Sequence, residues 1–220
     1  MEMLKKTKKP VKKRVTFSDD TTTTVSRSHN KSRSDFVANH PPVFIKKTFK
    51  TIPWHLLFLL YFYIQLSKNY DIITLLIFLI PSQFVYLMYQ FNKSTVYGNK
   101  RLKLNISLSL VTIVGSFLLS VPILAIVILY GAPFVEHLSL SWLLSLHISY
   151  LAYPALYSVF NCDFKVGLWK KYFIAIVIGG WLSCVVIPLD WDRDWQAWPI
   201  PVVVGSYLGA FVGYSIGAYI

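Results

Sequence analysis

The sequence predicts an all-α polytopic membrane protein of six transmembrane helices, preceded by a disordered basic tail. Three observations carry this prediction. The 220 residues are 55% hydrophobic and 16% aromatic, and their mean hydropathy of +0.50 is too apolar for an ordinary soluble domain. Six apolar segments follow one another after residue 51. The basic residues are concentrated in the tail and in alternate connections between these segments, as in other membrane proteins.

Residues 1–50 are predicted to be a disordered cytosolic tail. This stretch holds 13 of the 22 Lys and Arg residues and opens with a lysine-rich run that has almost no apolar side chains. A Ser/Thr-rich stretch follows, and such a composition cannot bury enough apolar surface to fold. Because no apolar region near the N-terminus predicts a cleavable signal peptide, we expect the first apolar segment to direct the chain to the membrane.

Residues 51–220 are predicted to form the six-helix transmembrane domain. A helix rises about 1.5 Å per residue, so a span needs about 20 apolar residues, and helices are expected because hydrocarbon leaves no other partner for the backbone polar groups. Five segments meet or nearly meet that length, and the first is short. Pro81, Pro122 and Pro154 predict kinks, because proline lacks the N–H that a helix turn needs. The predicted spans are 52–67, 72–91, 104–130, 142–160, 172–189 and 199–220.

The distribution of Lys and Arg gives an expected orientation. The tail and the connections 92–103 and 161–171 together carry 20 basic residues, whereas the opposite connections carry only Lys68 and Arg193. Six spans place the tail, both basic connections and the C-terminus on one side. Basic residues beside spans mark the cytosolic side, so both termini are predicted to be cytosolic. This pattern accounts for the net charge of +12 without a nucleic-acid partner.

The connection before the sixth segment combines charged residues with tryptophans. It contains two overlapping Asp-x-Asp triplets, a pattern that can hold Mg²⁺ or Mn²⁺ beside a phosphate. A lone triplet is a weak signal, and Arg193 can neutralise carboxylates by pairing with them, so no metal site is predicted. We expect the loop instead to contact a partner or lipid headgroups. The candidate contact residues are Asp190, Trp191, Asp192, Arg193, Trp195 and Trp198.

A stripe of glycines marks the sixth segment. Glycines recur there every four residues, which places them near one face of a helix. Small residues let two helices approach closely in lipid, where dispersion and Cα–H contacts hold them together. The stripe does not choose between packing inside the bundle and packing against a partner's helix. The candidate helix–helix interface is Gly179, Gly180, Gly205, Gly209, Gly213 and Gly217.

His147 is the candidate intramembrane polar residue. An ionisable side chain inside a span is a functional-site hypothesis by default. No Asp or Glu lies within the predicted spans to complete a proton relay, so an interhelical hydrogen bond is the favoured interpretation. The sequence also lacks the serine-hydrolase, zinc-protease and phosphate-loop motifs. We therefore predict no catalytic residues and no cofactor in this chain.

Several longer stretches resemble the fungal members of the PIG-F family. The strongest is G-G-W-L-S-C-V-V-I-P-L-D-W-D-R-D-W-Q-A-W-P-I, residues 179–200. Others are Q-F-N-K-S-T-V-Y-G-N-K at 90–100, the L-L-S-L-H run that ends at His147, and Y-S-V-F-N-C-D-F-K-V-G-L-W-K-K-Y-F at 157–173. The resemblance covers about residues 41–220. The chain departs from it at Asp194, where many relatives have Pro, so the second Asp-x-Asp is not a family feature.

The resemblance implies a multi-pass endoplasmic reticulum protein that acts in GPI-anchor assembly. It implies a non-catalytic subunit that binds and stabilises a large GPI ethanolamine phosphate transferase. The transferase moves phosphoethanolamine from phosphatidylethanolamine to a mannose of the GPI precursor, and its lumenal domain holds the metal and the nucleophile. Both lipids are potential contacts of this chain.

Two alternatives from other functional classes stay open. The first is an enzyme that acts on a lipid-linked substrate through Asp190 and Asp192. The second is a lipid transporter or scramblase. A transporter needs a polar track between helices, for which the sequence offers only scattered serines, tyrosines and His147.

Overall fold

Seven α-helices make up most of the part of the chain that the structure describes. The computed structural model describes residues 43–45, 48–67, 69–97, 100–101, 103–129, 131–132, 136–161, 168–189 and 191–216. The helices are α1 (Trp54–Tyr61), α2 (Ile72–Ser94), α3 (Ile106–Leu129), α4 (Leu138–Leu151), α5 (Tyr153–Asn161), α6 (Leu168–Ser183) and α7 (Ile200–Ile216). A π-helical turn, Phe62–Leu66, extends α1, and a 3-10 turn, Cys184–Val186, extends α6.

Helices α1 and α2 form a hairpin, and a small antiparallel sheet lies at the end of it where α1 begins and α2 ends. Strand β1 (Val43–Ile45) pairs with β2 (Thr95–Tyr97), which pairs with β3 (Lys100–Arg101). The sheet is an addition to the predicted helical fold, because strands of two or three residues are too short for a periodic pattern to reveal. Residues 43–45 and 48–50 of the predicted tail thus belong to the part of the chain that the structure describes. Residues 1–42, 46 and 47 of that tail lie outside the described residues.

Asp71 directly precedes α2 and caps its first turn, at the end of the hairpin where α1 and α2 are connected. Its carboxylate accepts hydrogen bonds from the backbone N–H groups of Ile73 (3.0 Å) and Thr74 (3.3 Å) and from the Thr74 hydroxyl. The Thr74 hydroxyl and these two N–H groups hold the pKa of Asp71 below its usual range. The carboxylate thereby satisfies donors that the first turn of a helix leaves without partners, and it complements the positive end of the helix dipole.

Three helical stretches are long and apolar enough to cross a membrane. They are Ile72–Phe91, Ile106–Leu129 and Trp169–Val186. The α4–α5 pair passes the same test when both helices are taken together, and it provides a fourth if the pair is one span. Trp54–Leu66 and α7 are shorter apolar helices. Each predicted span therefore corresponds to a helix or helix pair, while length and composition support three or four crossings among the described residues.

Pro154 lies beside the bend between α4 and α5. The two helices meet at 49° across the single residue Ala152, and Pro154 is the second residue of α5. Proline has no N–H to continue the ladder and restricts the residue before it, so the break falls where the sequence predicts a kink. Pro81 and Pro122, by contrast, lie inside helices that the structure keeps continuous.

The most buried helix, α4, lies at the centre of the bundle and contacts α2, α3 and α7. Small hydroxyl residues of α3 make its contacts with α4 and with the following helix α5. The Ser149 hydroxyl donates to the Ser116 carbonyl, and the Ser109 hydroxyl lies 2.7 Å from the Tyr153 hydroxyl. Four such residues of α3 are fully buried: Ser109, Thr112, Ser116 and Ser120. They let α3 approach α4 and α5 closely in the way that glycines do elsewhere in the chain.

Candidate functional site

Helices α6 and α7 contact each other backbone to backbone through their glycines. A Cβ atom built at Gly179 would overlap the Gly205 carbonyl oxygen and lie 2.8 Å from the Cα atom of Gly209. A Cβ at Gly209 would in turn overlap the carbonyl oxygen of Ala175. Real side chains essentially never come so close, so only glycine fits at these positions. This pair of helices makes the most extensive contact in the described part of the chain.

The remaining glycines of the candidate interface extend the same contact. A Cβ at Gly180 would lie 2.6 Å from the Ser206 hydroxyl oxygen, and one at Gly213 would lie 2.8 Å from the Ala175 Cβ. Gly217 lies outside the described residues. The stripe on α7 is therefore covered by α6 of the same chain. This contact favours the interpretation in which the described glycines pack inside the bundle.

His147 joins three helices in the centre of the bundle. Its side chain is fully buried on α4, with Nδ1 3.0 Å from the Tyr207 hydroxyl on α7 and Nε2 3.0 Å from the carbonyl oxygen of Ile72 on α2. A carbonyl oxygen can only accept, so Nε2 carries the proton and Nδ1 accepts from Tyr207. Both ring nitrogens of the neutral imidazole are thus used. The geometry supports an interhelical bond rather than a proton relay.

The Trp-rich loop, residues 187–199 between α6 and α7, is held in place by Gln196. The sequence analysis did not single out this residue. Its side chain is buried, and its Nε2 donates to the carbonyl oxygens of Val186 (2.8 Å) and Leu189 (2.7 Å). Its Oε1 accepts from the backbone N–H of Arg193 at 3.2 Å. One amide group therefore ties both ends of the loop together, which fixes the loop beside the last turn of α6. A lone Gln among tryptophans and charges was the only signal in the sequence.

The predicted contact residues of this loop lie mainly at the surface. The indole rings of Trp191 and Trp195 lie 5.8 Å apart, and both side chains are exposed. Asp192 and Arg193 are also exposed, and Asp192 has a φ of 48°, in the left-handed region. Trp198 differs, because it is half-buried and its Nε1 donates to the Ser141 hydroxyl on α4 at 3.2 Å. The loop therefore has an anchored end and an exposed aromatic and charged end.

The structure does not bring the Asp-x-Asp carboxylates into a built metal site within the part of the chain that it describes. No group of three His, Cys, Asp or Glu side chains there is arranged to hold a metal ion. Asp190, the first carboxylate of the pattern, lies outside the described residues. The described carboxylates, Asp192 and Asp194, are exposed.

Tyr207 and Tyr214 are the other site residues that sequence analysis missed. They lie seven residues apart on α7, and both hydroxyls reach α4, since Tyr214 donates to the Leu151 carbonyl oxygen at 2.8 Å. Residues seven apart share a helix face, so this spacing was a usable signal. Within a sequence that contains 14 tyrosines it did not stand out.

Replacing Gln196 by Glu is expected to loosen the Trp-rich loop. The variant keeps the size of the side chain but removes both donors to Val186 and Leu189, and two part-buried hydrogen bonds contribute about 0.5–1.5 kcal/mol each. Hydrogen exchange of the amides in residues 186–196 should become markedly faster, with α2 and α3 unchanged as an internal control. Unchanged exchange in the loop would show that Gln196 does not hold it.

Comparison with known proteins finds one family, both through a family model and through individual relatives. A family model described as "GPI biosynthesis protein family Pig-F" matches residues 50–218. The chain is 60% identical over 221 residues to the Saccharomyces cerevisiae protein named glycosylphosphatidylinositol anchor biosynthesis protein 11, and the match covers 100% of both chains. Proteins of the same name from Candida glabrata and Candida albicans are 58% and 32% identical, with 96% and 93% of this chain and 100% and 94% of theirs covered. No solved structure matches.

Proposed function

From the premise that this chain belongs to the PIG-F family of GPI biosynthesis proteins, we propose that it is a non-catalytic membrane subunit of a GPI ethanolamine phosphate transferase. It binds and stabilises the large transferase subunit in the endoplasmic reticulum membrane. That subunit adds phosphoethanolamine to a mannose of the GPI precursor. The names of the relatives support the pathway, and the further assignment rests on the surface and the loops of this chain.

The observation that carries this proposal is the held, exposed loop between α6 and α7. Its tryptophans protrude from a backbone that the buried Gln196 fixes, and Arg193 is exposed between them. Trp and Arg are the residue types that contribute most binding energy at protein interfaces. Because the loop is already ordered, a partner that binds it loses little conformational entropy.

The short connections support a subunit without its own catalytic domain. At the end of the bundle that carries Trp198, the connections run only over residues 67–71, 130–137 and 187–199. Such lengths hold no folded domain, whereas transfer of a phosphoryl-linked group needs an organised set of metal and nucleophile residues. We therefore assign the chemistry to the partner's lumenal domain.

The proposed topology has six spans with both termini in the cytosol. The helix ends that the two basic connections join lie at one end of the bundle, where the Tyr157 hydroxyl on α5 accepts a hydrogen bond from the Asn105 N–H at 2.8 Å, just before α3. The Trp198 end carries more acidic than basic residues. By the positive-inside rule, the Trp198 end and its loop face the lumen, on the side of the proposed transferase domain.

Replacing both Trp191 and Trp195 by Ala tests the proposal. Loss of a central interface residue costs about 2 kcal/mol or more, so recovery of the transferase subunit with this chain in mild detergent should fall at least about tenfold. The matched control is Tyr61→Ala, which truncates an exposed aromatic residue on α1. Unchanged recovery together with unchanged surface GPI-anchored protein would refute the loop as the contact. Transfer of phosphoethanolamine by the purified chain alone would refute the non-catalytic role.

A further inference from the structure

A large cleft opens between α3 and α6. Its volume is about 830 Å³. One wall is formed by α3, including Ile126 and Val127, and the other by α6, including Val177. Leu144 of α4 and Val202 of α7 lie at its base. The two walls do not pack extensively on each other, although both belong to stretches that are long and apolar enough to cross a membrane.

The lining of this cleft is almost entirely apolar. Among the lining side chains the polar atoms belong to Cys184, Ser206 and the indole groups of Trp181 and Trp198. The Cys184 thiol donates to the Gly180 carbonyl oxygen at 3.4 Å, and the Trp198 indole donates to Ser141. The Ser206 hydroxyl is fully buried. A ligand that fills the cleft must therefore be apolar along its length, because a polar group placed there would lose its hydrogen bonds to water.

The length and volume of the cleft suit one hydrocarbon chain. The lining residues of α6 and of the turns that follow it extend from Phe173 to Pro188, which corresponds to a length of about 22 Å at the rise of a helix. The observed volume lies within the range of about 300–1,000 Å³ that is typical of sites for small ligands.

One end of the cleft adjoins the Trp-rich loop between α6 and α7, which also carries charged residues. Trp198 and Pro188 line that end, and Asp192, Arg193 and Asp194 follow in the intervening loop with exposed side chains. An apolar channel that ends beside charges of both signs matches a molecule with a hydrocarbon tail and a zwitterionic head. Tryptophan side chains are also favoured at the level of lipid headgroups.

We propose that the cleft between α3 and α6 binds one acyl chain of a membrane phospholipid, with the headgroup at the Trp198 end beside the charged loop. This binding is a property of the chain itself, so we expect it both in the isolated chain and in the complex with a transferase subunit. The phospholipid comes from the surrounding bilayer. It fills a space between two helices that would otherwise lack contacts on one side.

Photolabelling tests the proposal. The purified chain is placed in phosphatidylcholine vesicles that contain a trace of phosphatidylcholine with a diazirine midway along one acyl chain, and the adducts are mapped after illumination. We expect strong labelling of Val127, which is only partly exposed. In Val177→Trp the added indole narrows the cleft from the opposite wall, and labelling of Val127 should fall severalfold. The matched control is Ile174→Trp, which adds the same ring on an exposed outer position of α6 and should leave Val127 labelling unchanged.

Three outcomes would overturn the proposal. Labelling of Val127 that is no stronger than that of outward-facing residues would indicate only the surrounding bilayer. Equal labelling of Val127 in Val177→Trp and the parent would place the lipid elsewhere. Loss of Val127 labelling when the chain is purified together with its transferase subunit would show that a partner's helix fills the cleft. If Val177→Trp does not fold, Ile126→Trp, which narrows the cleft from the α3 wall, replaces it in the same comparison.

Discussion

Replacing Gly209 by Ala is expected to lower the thermal unfolding temperature of the purified chain substantially. The new methyl group would overlap the Ala175 carbonyl oxygen, and that atom belongs to a helix backbone that cannot rotate away. Overpacking of this kind costs about 1–3 kcal/mol, and the upper end applies where backbone meets backbone. About 3 kcal/mol corresponds to about 6–12 °C in a chain of this size. Tryptophan fluorescence during heating in mild detergent measures the shift.

Gly115→Ala is the matched control, since Gly115 is also a helix-interior glycine. A Cβ there would meet the ring of Phe160 at 3.3 Å, and this ring is part of a side chain that can move by a few tenths of an ångström. Replacing Gly by Ala also favours a helix by about 0.5–1 kcal/mol. The unfolding temperature of Gly115→Ala should thus change little. Equal shifts in both variants would contradict the close contact of α6 with α7.

The close contact between α6 and α7 changes how glycine variants should be interpreted in partner experiments. Larger residues at Gly209 and Gly213 separate α6 from α7 within the chain, and the loop that connects these helices moves with them. A lower recovery of the proposed transferase subunit would then follow from a disturbed loop. It would not identify the glycines as partner contacts. Variants of Trp191 and Trp195 avoid this effect, because their side chains are exposed.

Replacing His147 by Ala is expected to destabilise the bundle by about 2–4 kcal/mol. The change removes two hydrogen bonds and leaves a cavity among α2, α4 and α7, and both effects contribute. Tyr207→Phe removes only the hydroxyl that donates to Nδ1, and hydrogen bonds between membrane helices average about 0.6 kcal/mol. The free energy of unfolding, measured in detergent with increasing denaturant, should decrease in this order.

The double variant separates the hydrogen bond from the other effects. Once His147 is absent, the Tyr207 hydroxyl has no imidazole to bond, so Tyr207→Phe should cost less in the His147→Ala background. We expect a coupling of about 0.5–1 kcal/mol. Strict additivity of the two changes would contradict the bond. If His147 were part of a proton relay, Tyr207→Phe would instead abolish the production of GPI-anchored protein without loss of stability. The buried imidazole, whose two ring nitrogens are both hydrogen-bonded, does not support such a relay.

Several features were predictable because they follow from local chemistry. The six apolar segments correspond to helices or a helix pair, since the backbone has no other way to satisfy its polar groups in hydrocarbon. The break beside Pro154 follows from a missing N–H group. The glycine spacing also identified a close helix contact, because only glycine permits it.

Other features of the candidate site were beyond local patterns. Gln196 matters because its amide reaches carbonyl groups up to ten residues away, and nothing in its neighbours along the chain indicates this. His147 and Tyr207 are 60 residues apart, so their bond depends on how α4 and α7 pack. The sheet pairs residues that lie on opposite sides of the hairpin.

The sequence by itself determined that this chain is a helical membrane protein with a basic end, a Trp-rich loop and a face of α7 that demands close approach. Hydropathy, charge and residue size act over a few neighbours, so they can be read along the chain. Only the tertiary structure decided that α6 occupies that face and that His147 is fully bonded. It also revealed the cleft between α3 and α6. The choice of packing partner depends on the summed contacts of whole helices, and a single face carries no information about which helix will cover it.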